Sequence, residues 1–270
     1  MDDSITALGL LEDEAITLDS AALELAALDH PGTDLAPYVA LLTEMTERLV
    51  HLGGEARAAG ERATALATLF AEDYGFVGDA DRYDDPDNAD LIRVIDRRRG
   101  LPVSLAILYV AAARRLGWSA DVLNTPGHVL ARINSPTEPV LIDPFGRGRI
   151  VDAAELAALL ARMLGPTVVP GAEHLATLTN RAVLVRLLIN QASRAETGGR
   201  PSRALELYRR MTLIAPGHGP LWWERARLSL GEGDVAGARA SLSAMLEVTR
   251  EPEMRAHIFA ALDAISAARP

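Results

Sequence analysis

Hydrophobic residues in the first part of the chain recur every three or four positions, which is the period of an amphipathic helix. Leu42 and Leu49 belong to one such series. The series is interrupted at residues 29–32 and 53–54, where Gly and Pro residues typical of helix ends occur. We therefore expect several amphipathic helices between residue 5 and about residue 75.

The pattern changes in the middle of the chain, where an apolar helix is followed by short segments with strand character. A first helix is expected at residues 89–99. Pro102 stands where a second helix takes proline at its first position, the apolar run 105–116 follows, and Gly117 is a typical helix end. The next three segments, separated by turn residues, are predicted to be strands: Ala120–Asn124, Val129–Ile133 and Pro139–Ile142. The pattern therefore predicts a helix followed by a small antiparallel sheet.

The last third of the chain contains a repeat of 34 residues. Gly199, Ala204, Tyr208, Met211 and Ile214 recur as Gly233, Ala238, Leu242, Met245 and Val248. This is the period of tetratricopeptide repeats, in which each unit is a pair of helices. We expect helix pairs at about 181–215 and 221–249, with a further helix to residue 267. Such an array binds partners in a groove or supports the preceding domain.

A break rich in Gly and Pro, at residues 165–171, separates these parts. We predict two domains, residues 1–165 and residues 172–270. The predicted fold class is α+β, with a helical N-terminal part, a helix with a small antiparallel sheet, and an all-α tetratricopeptide-like tail.

Composition narrows the classes of partner. The chain has 270 residues, of which 49% are hydrophobic, so it can bury a sizeable core. Its formal net charge is -10, which repels the phosphates of nucleic acid. No apolar run approaches the roughly 18 residues that a membrane helix needs, and the first residues lack the basic segment of a secretory signal. We expect a cytoplasmic protein with neither nucleic acid nor membrane as partner.

The absence of two residue types limits the chemistry. The chain contains no cysteine and no lysine. Disulfides, zinc-thiolate sites, cysteine nucleophiles and lysine Schiff bases are therefore excluded. The remaining histidines show no spacing typical of a metal site, and we expect neither a metal nor a cofactor.

Three residues in the middle of the chain form a candidate catalytic constellation. Ser104 lies in the first turn of the apolar helix, His128 at the start of one strand and Asp143 at the end of another. Pairing centred near residue 136 places His128 and Asp143 within one residue of being directly opposite, where side chains can bond. A carboxylate that holds an imidazole near a helix N-terminus is an arrangement used in acyl transfer.

Several motifs in this region closely resemble one family. They are Tyr83-x-x-Pro86-x-Asn88, the run Arg97 to Leu105, Ala113 to Gly117, Pro126-Gly127-His128 and Ile142-Asp143-Pro144-Phe145. In this order they resemble the SirB-type branch of the transglutaminase-like superfamily, strongly from about residue 75 to 150. The resemblance implies a papain-like fold and the tetratricopeptide-like tail that is typical of this bacterial branch.

The resemblance also implies what is missing. Active relatives have a cysteine nucleophile at the helix start and a His and an Asp on the following strands. Alignment from Gly100 to Gly117 puts Pro102 at the Cys position, whereas His128 and Asp143 match their family positions. Ser104 lies in the same turn and is either a substitute nucleophile or a residue that caps backbone N–H groups.

Other residues are candidates for lining a cleft near this constellation. They are Tyr83, Asn88, Arg99, Pro102 and Asn124. The basic run 97–99 is expected to be a solvated helix end, with an anion site as the alternative. The Asp-rich residues 78–88 are expected to be a solvated loop, with calcium binding as the alternative.

Three functions remain open from the sequence. The favoured one is a transglutaminase-like pseudoenzyme that binds a protein or peptide through its cleft and helical tail. The second is a hydrolase or acyltransferase that acts on an amide or ester with Ser104 as nucleophile, His128 as base and Asp143 as the group that orients the base. The third is a scaffold with no small-molecule site.

Overall fold

A computed structural model of the protein describes residues 2–136, 138–165 and 171–267. The chain divides into two compact units. The first, called here the central unit, is Glu12–Leu187; the second, the tail unit, combines Met1–Leu11 with Leu188–Pro270. This division differs from the predicted domain limits, because the N-terminal helix groups with the tail and residues 171–187 group with the central unit.

Three helices open the central unit, as the helical period predicts. They are α2 (Leu18–Ala27), α3 (Ala36–Gly53) and α4 (Ala59–Ala67), which continues as a π-helical turn, Thr68–Asp73. Leu42 and Leu49 on α3 are buried, whereas Val39 in the same series is exposed. The apolar period therefore identified the helix correctly and overestimated the width of its buried face.

Two further helices form the middle of the unit. They are α5 (Leu91–Arg97) and α6 (Pro102–Arg115). Every residue of α6 from Pro102 to Ala113 is buried, which is why its sequence is apolar on all sides. The helix ends near Gly117, whose φ of 72° lies in the left-handed region, as expected for a helix C-terminus.

A four-stranded antiparallel sheet lies next to α6. Its strands, in spatial order, are β3 (Ala120–Leu123), β4 (Leu130–Ile133), β5 (Val140–Asp143) and β6 (Arg149–Val151). The three predicted strands are confirmed, with ends that shift by at most one residue. The pattern missed β6 and a parallel pair, β1 (Val77–Gly78) with β2 (Arg99–Gly100), because segments of two or three residues show no period.

The central unit ends with a helix and an extended segment. Asp152 caps α7 (Ala153–Leu164) by accepting hydrogen bonds from the N–H groups of Ala154 and Glu155. Residues 176–178 then run beside β3, where the N–H of Asn124 donates to the Ala176 carbonyl at 2.9 Å. The predicted break at 165–171 lies mostly outside the described residues.

Helices make up the tail unit. They are α1 (Asp2–Leu10), the later part of α8 (Asn180–Thr197), α9 (Pro201–Ile214), α10 (Gly219–Gly231), α11 (Val235–Val248) and α12 (Pro252–Ala267). Gly199 and Gly233, which are 34 residues apart, both have positive φ, of 68° and 78°, in the turns after α8 and α10. The side chain missing at Gly9 lets α1 approach the Leu213 carbonyl closely.

Two kinds of feature are absent from the described residues. No helix there combines the length and apolar character that crossing a bilayer requires. No group of three or more His, Asp or Glu side chains in that part of the chain has a metal-binding arrangement.

Candidate functional site

The structure brings His128 and Asp143 together. His128 Nε2 lies 2.8 Å from Asp143 Oδ1, and the two side chains are 15% and 8% exposed. The observed register pairs Ala131 with Ile142, which puts Phe145 rather than Asp143 opposite His128. The predicted offset was therefore too small, but the contact forms because His128 lies in a turn before β4 and its ring reaches back.

A tight turn presents the imidazole. The His128 N–H donates to the Thr125 carbonyl at 3.1 Å, and Gly127 has a φ of 69°. A Cβ at Gly127 would overlap the half-exposed side chain of Met163 on α7. Glycine is therefore favoured here for its backbone conformation, because the exposed end of the Met163 side chain could move away from an added Cβ.

Several groups hold Asp143 in its ionised form. Burial alone would raise its pKa, but the hydrogen bond and charge of His128, the Gly146 N–H and the charge of Arg149 together outweigh burial and leave the pKa lowered. Arg149 Nη2 lies 3.6 Å from Asp143 Oδ2 and also pairs with Glu155. An ionised Asp143 accepts a hydrogen bond from Nε2–H, which fixes the tautomer and leaves Nδ1 of a neutral His128 as an acceptor.

The lowered pKa of Asp143 predicts how stability depends on pH. Its ionised form contributes stability above the unfolded-state pKa of about 3.9, and this contribution is lost as pH falls through the folded-state value. Asp143→Asn is expected to reduce the free energy of unfolding by about 1–3 kcal/mol at pH 7. The difference in the free energy of unfolding between wild type and Asp143→Asn should become smaller as the pH falls towards 3.

Urea unfolding at both pH values measures this difference. Asp81→Asn is the control, because Asp81 is exposed and makes no hydrogen bond or ion pair with any described residue. It should change stability by less than about 0.5 kcal/mol. A destabilisation by Asp143→Asn that is equal at pH 7 and pH 3 would contradict a stabilising charge on Asp143.

Aromatic rings continue from His128 across the surface. The Phe145 ring meets the imidazole edge to face, with centroids 6.0 Å apart, and meets the ring of Tyr83 at 5.8 Å. Tyr83 is 41% exposed. A Cβ at Gly78 would overlap the Phe145 ring, so this ring rests directly on the backbone of β1. Tyr83 thus contacts Phe145, which in turn contacts His128. Phe145, which the Asp-Pro-Phe motif contains, had not been singled out.

Ser104 lies in a different environment. It is fully buried, and its hydroxyl donates to the Asn88 carbonyl at 2.8 Å. Among the described residues, no hydrogen bond joins Ser104 to His128. The serine neither caps the helix N-terminus, as the simpler interpretation proposed, nor faces the imidazole; it ties α6 to the loop before α5.

Asn88 is also part of this connection and is fully buried. Its carbonyl accepts the Leu101 N–H at 3.0 Å in addition to the Ser104 hydroxyl, and its Nδ2 donates to the Arg82 carbonyl at 2.7 Å. The prediction that Asn88 lines a cleft is therefore replaced by a structural role. It holds the loop against the start of α6.

The other predicted cleft residues differ in exposure. Pro102 is buried at the first position of α6, whereas Arg99 and Asn124 are exposed. Within the described ranges, neither Arg99 nor Asn124 forms a hydrogen bond or ion pair with His128 or Asp143. His128 therefore contacts Asp143 directly and approaches Tyr83 through Phe145. Pro102, Arg99 and Asn124 form no polar contact with this pair among the described residues.

The basic run and the Asp-rich loop turn out to belong together. Arg97 Nη2 lies 2.8 Å from Asp79, which is only 2% exposed, and the guanidinium is 3.7 Å from both Asp85 and Asp87. We call these four residues the acidic clasp. Arg97 and Asp79 are therefore less solvated than expected, whereas Asp85 and Asp87 remain partly exposed, as expected for a surface loop. The clasp holds the loop that carries Asn88.

Comparison with known proteins agrees with this architecture. The family model of the transglutaminase-like superfamily matches residues 36–189. A UPF0162 protein of Xylella fastidiosa (strain 9a5c) is 32% identical over 245 residues, which cover 89% of this chain and 87% of that protein. A UPF0162 protein of Pseudomonas aeruginosa is 32% identical over 216 residues, 80% of this chain and 78% of that protein.

A solved structure of menin is similar at a lower level. It has a TM-score of 0.43 and 15% sequence identity, and the match covers 91% of this chain and 69% of the menin chain. The fold, a buried helix beside a small antiparallel sheet with a helical tail, is that of a transglutaminase-like protein. The match of the family model over more than half of the sequence shows that the chain belongs to the transglutaminase-like superfamily.

Proposed function

We propose that this protein is a non-catalytic, cytoplasmic module of the SirB-type branch that binds a protein or peptide. The observation that carries the proposal is a His128–Asp143 pair in a transglutaminase-like chain that contains no cysteine. The chemistry of the superfamily's active members proceeds through a cysteine, whose position aligns with Pro102. A chain without a thiol has no such nucleophile.

The environment of Ser104 favours binding over catalysis. A serine nucleophile needs a base within about 3 Å of its hydroxyl. The Ser104 hydroxyl is instead fully buried and donates its proton to the Asn88 carbonyl. Use of Ser104 as a nucleophile would require breaking the bond that anchors the loop to α6.

The retained pair is suited to recognition. Asp143 fixes the imidazole through Nε2, and Nδ1 makes no hydrogen bond to any residue that the structure describes. A peptide N–H donating to Nδ1 would gain a positioned acceptor, and Phe145 and the exposed ring of Tyr83 offer apolar contact area beside it. The helical tail, proposed to be a tetratricopeptide-like array, adds a second surface for the same partner.

Peptide binding tests this function. A peptide that binds the purified protein is first selected from a random display library, and its affinity for variants is then measured. We expect His128→Ala to weaken the peptide's affinity roughly tenfold, or about 1.4 kcal/mol, as measured by fluorescence anisotropy. Ser104→Ala is the matched control and should change affinity less than twofold. In wild-type protein, NMR resonances of His128 should shift on addition of the peptide.

Two other results would overturn the proposal. Labelling of Ser104 by a fluorophosphonate probe that vanishes in His128→Ala would indicate a serine hydrolase. Selected peptides that all bind His128→Ala and Asp143→Asn as tightly as wild type would indicate a scaffold without a ligand at this pair.

A further inference from the structure

An open groove lies on the tail unit between α11 and α12. Its volume is about 930 Å³. One side of the groove is lined by Leu230, Asp234, Val235, Ala236, Arg239 and Ala240. Ala264 and Ile265 of α12 line the opposite side. The groove is formed entirely by residues of the tail.

The floor of the groove permits close approach. Ala236, Ala240 and Ser243 are exposed and follow one another at intervals of four and three residues, so they share one face of α11. Small side chains on one helix face let a second segment pack near the backbone. Leu230 and Val235 are exposed at one end of the groove and provide large apolar contacts for that segment.

One cation in the groove forms no ion pair with any residue that the structure describes. Arg239 Nη2 donates to the Ser266 hydroxyl at 3.0 Å, and no carboxylate among the described residues lies within ion-pair distance of its guanidinium. The nearby Asp234 is already engaged, because it accepts the Gly237 N–H at 2.8 Å and pairs with Arg209 at 3.6 Å. A ligand carboxylate would complete the charge pairing of Arg239.

The distribution of charge along the chain favours the tail unit over the central unit as the binding site of an acidic ligand. The tail unit, residues 1–11 and 188–270, carries eleven Arg and eleven acidic side chains, whereas the central unit, residues 12–187, carries sixteen Arg and twenty-six acidic side chains. The central unit therefore repels an acidic segment, and the tail does not. The distribution of charge between the two units thus agrees with the position of Arg239 in favouring this groove for an acidic ligand.

We infer that this groove binds an acidic amphipathic segment of a partner protein. The apolar side chains of this segment lie on Ala236 and Ala240 and beside Leu230 and Val235, and one of its carboxylates pairs with Arg239. The inference extends the tail's part in the proposed function, and its test does not depend on His128. A two-fold contact between copies would bring the two Arg239 residues close together, which disfavours the groove as a self-association surface.

The test uses a fluorescent synthetic helix of Leu and Glu residues as the probe, with anisotropy as the readout on the full chain. We expect saturable micromolar binding that weakens with added salt. Arg239→Glu should weaken binding of the probe at least tenfold. Ala240→Trp, whose large side chain fills the groove, should abolish binding. A version of the probe with Lys in place of Glu should not bind.

Matched controls separate this site from other effects. Arg200→Glu makes the same charge change on an exposed turn of the tail outside the groove, and it should bind within twofold of wild type. His128→Ala should also bind normally, so a failure of the His128 site is distinguishable from a failure here. Circular dichroism checks that each variant remains folded.

Four results would overturn the inference: no saturable binding of the probe, equal binding of the Lys version, unchanged affinity in Arg239→Glu, or dimerisation of the chain through the groove that Ala240→Trp abolishes.

Discussion

Replacing Gly148 with Ala is expected to destabilise the central unit by about 2–6 kcal/mol. Gly148 has a φ of 73°, a conformation that costs other residues roughly 1–3 kcal/mol. A Cβ there would lie 2.8 Å from Tyr109 Oη and 3.0 Å from the Ala67 Cα. Tyr109 is fully buried and stacks on Phe70 at 4.2 Å, so neither neighbour can yield easily, and overpacking adds roughly 1–3 kcal/mol.

The effect extends to the candidate site. The Gly148 N–H donates to the Asp143 carbonyl at 2.8 Å, so a displaced turn moves Asp143. Urea unfolding followed by Trp118 fluorescence, in a background with Trp222→Phe and Trp223→Phe, reports on the central unit alone. Gly75→Ala is the control, since Gly75 has a similar φ of 72° and a Cβ there would meet no atom within 4 Å. Equal losses in the two variants would show that crowding contributes nothing.

Replacing Arg97 with Met is expected to destabilise the central unit by about 3–5 kcal/mol, the usual cost of removing one partner of a buried ion pair. Asp79 is 2% exposed and loses the guanidinium that lies 2.8 Å away. Asp85 and Asp87 lose the same cation, so three carboxylates of the acidic clasp are left to repel one another. The same Trp118 signal measures the loss.

Arg99→Met is the control for Arg97→Met. Arg99 belongs to the same basic run, is exposed and has no ion pair within the described residues, so its loss should change stability by less than about 0.5 kcal/mol. Adding Asp79→Asn to Arg97→Met should restore part of the stability, because it removes the unpaired charge and keeps an oxygen for the Arg82 N–H. If the double variant lost the sum of the stability losses of the two single variants, Arg97 and Asp79 would not stabilise each other, and the acidic clasp would be contradicted.

The elements with a long apolar period could be predicted from the sequence. Helix α6 follows from Pro102, its apolar run and Gly117, and the sheet follows from three β-type segments separated by turns. The parallel pair of β1 and β2 could not be predicted, because it depends on contacts between residues more than twenty positions apart in the sequence and on only two residues per strand.

The sequence could predict the parts of the candidate site that belong to a recognisable motif, but not the contacts that depend on how distant segments fold together. His128 and Asp143 were found from their motif, and their side chains meet. The environment of Ser104 was not predictable, since it depends on how the loop bearing Asn88 folds back onto α6. The acidic clasp was not predictable for a similar reason. Neither the basic run nor the Asp-rich run shows by itself that folding brings Arg97 and Asp79 together.

The extended residues 176–178 beside β3 have a consequence for self-association. An open sheet edge can recruit strands from other chains and seed aggregation. On one side of this sheet, hydrogen bonds from Asn124 and Leu178 already use the backbone of that edge. On the other side, β6 offers only three residues before Asp152 begins α7. Intermolecular strand addition therefore has almost no template on the four-stranded sheet.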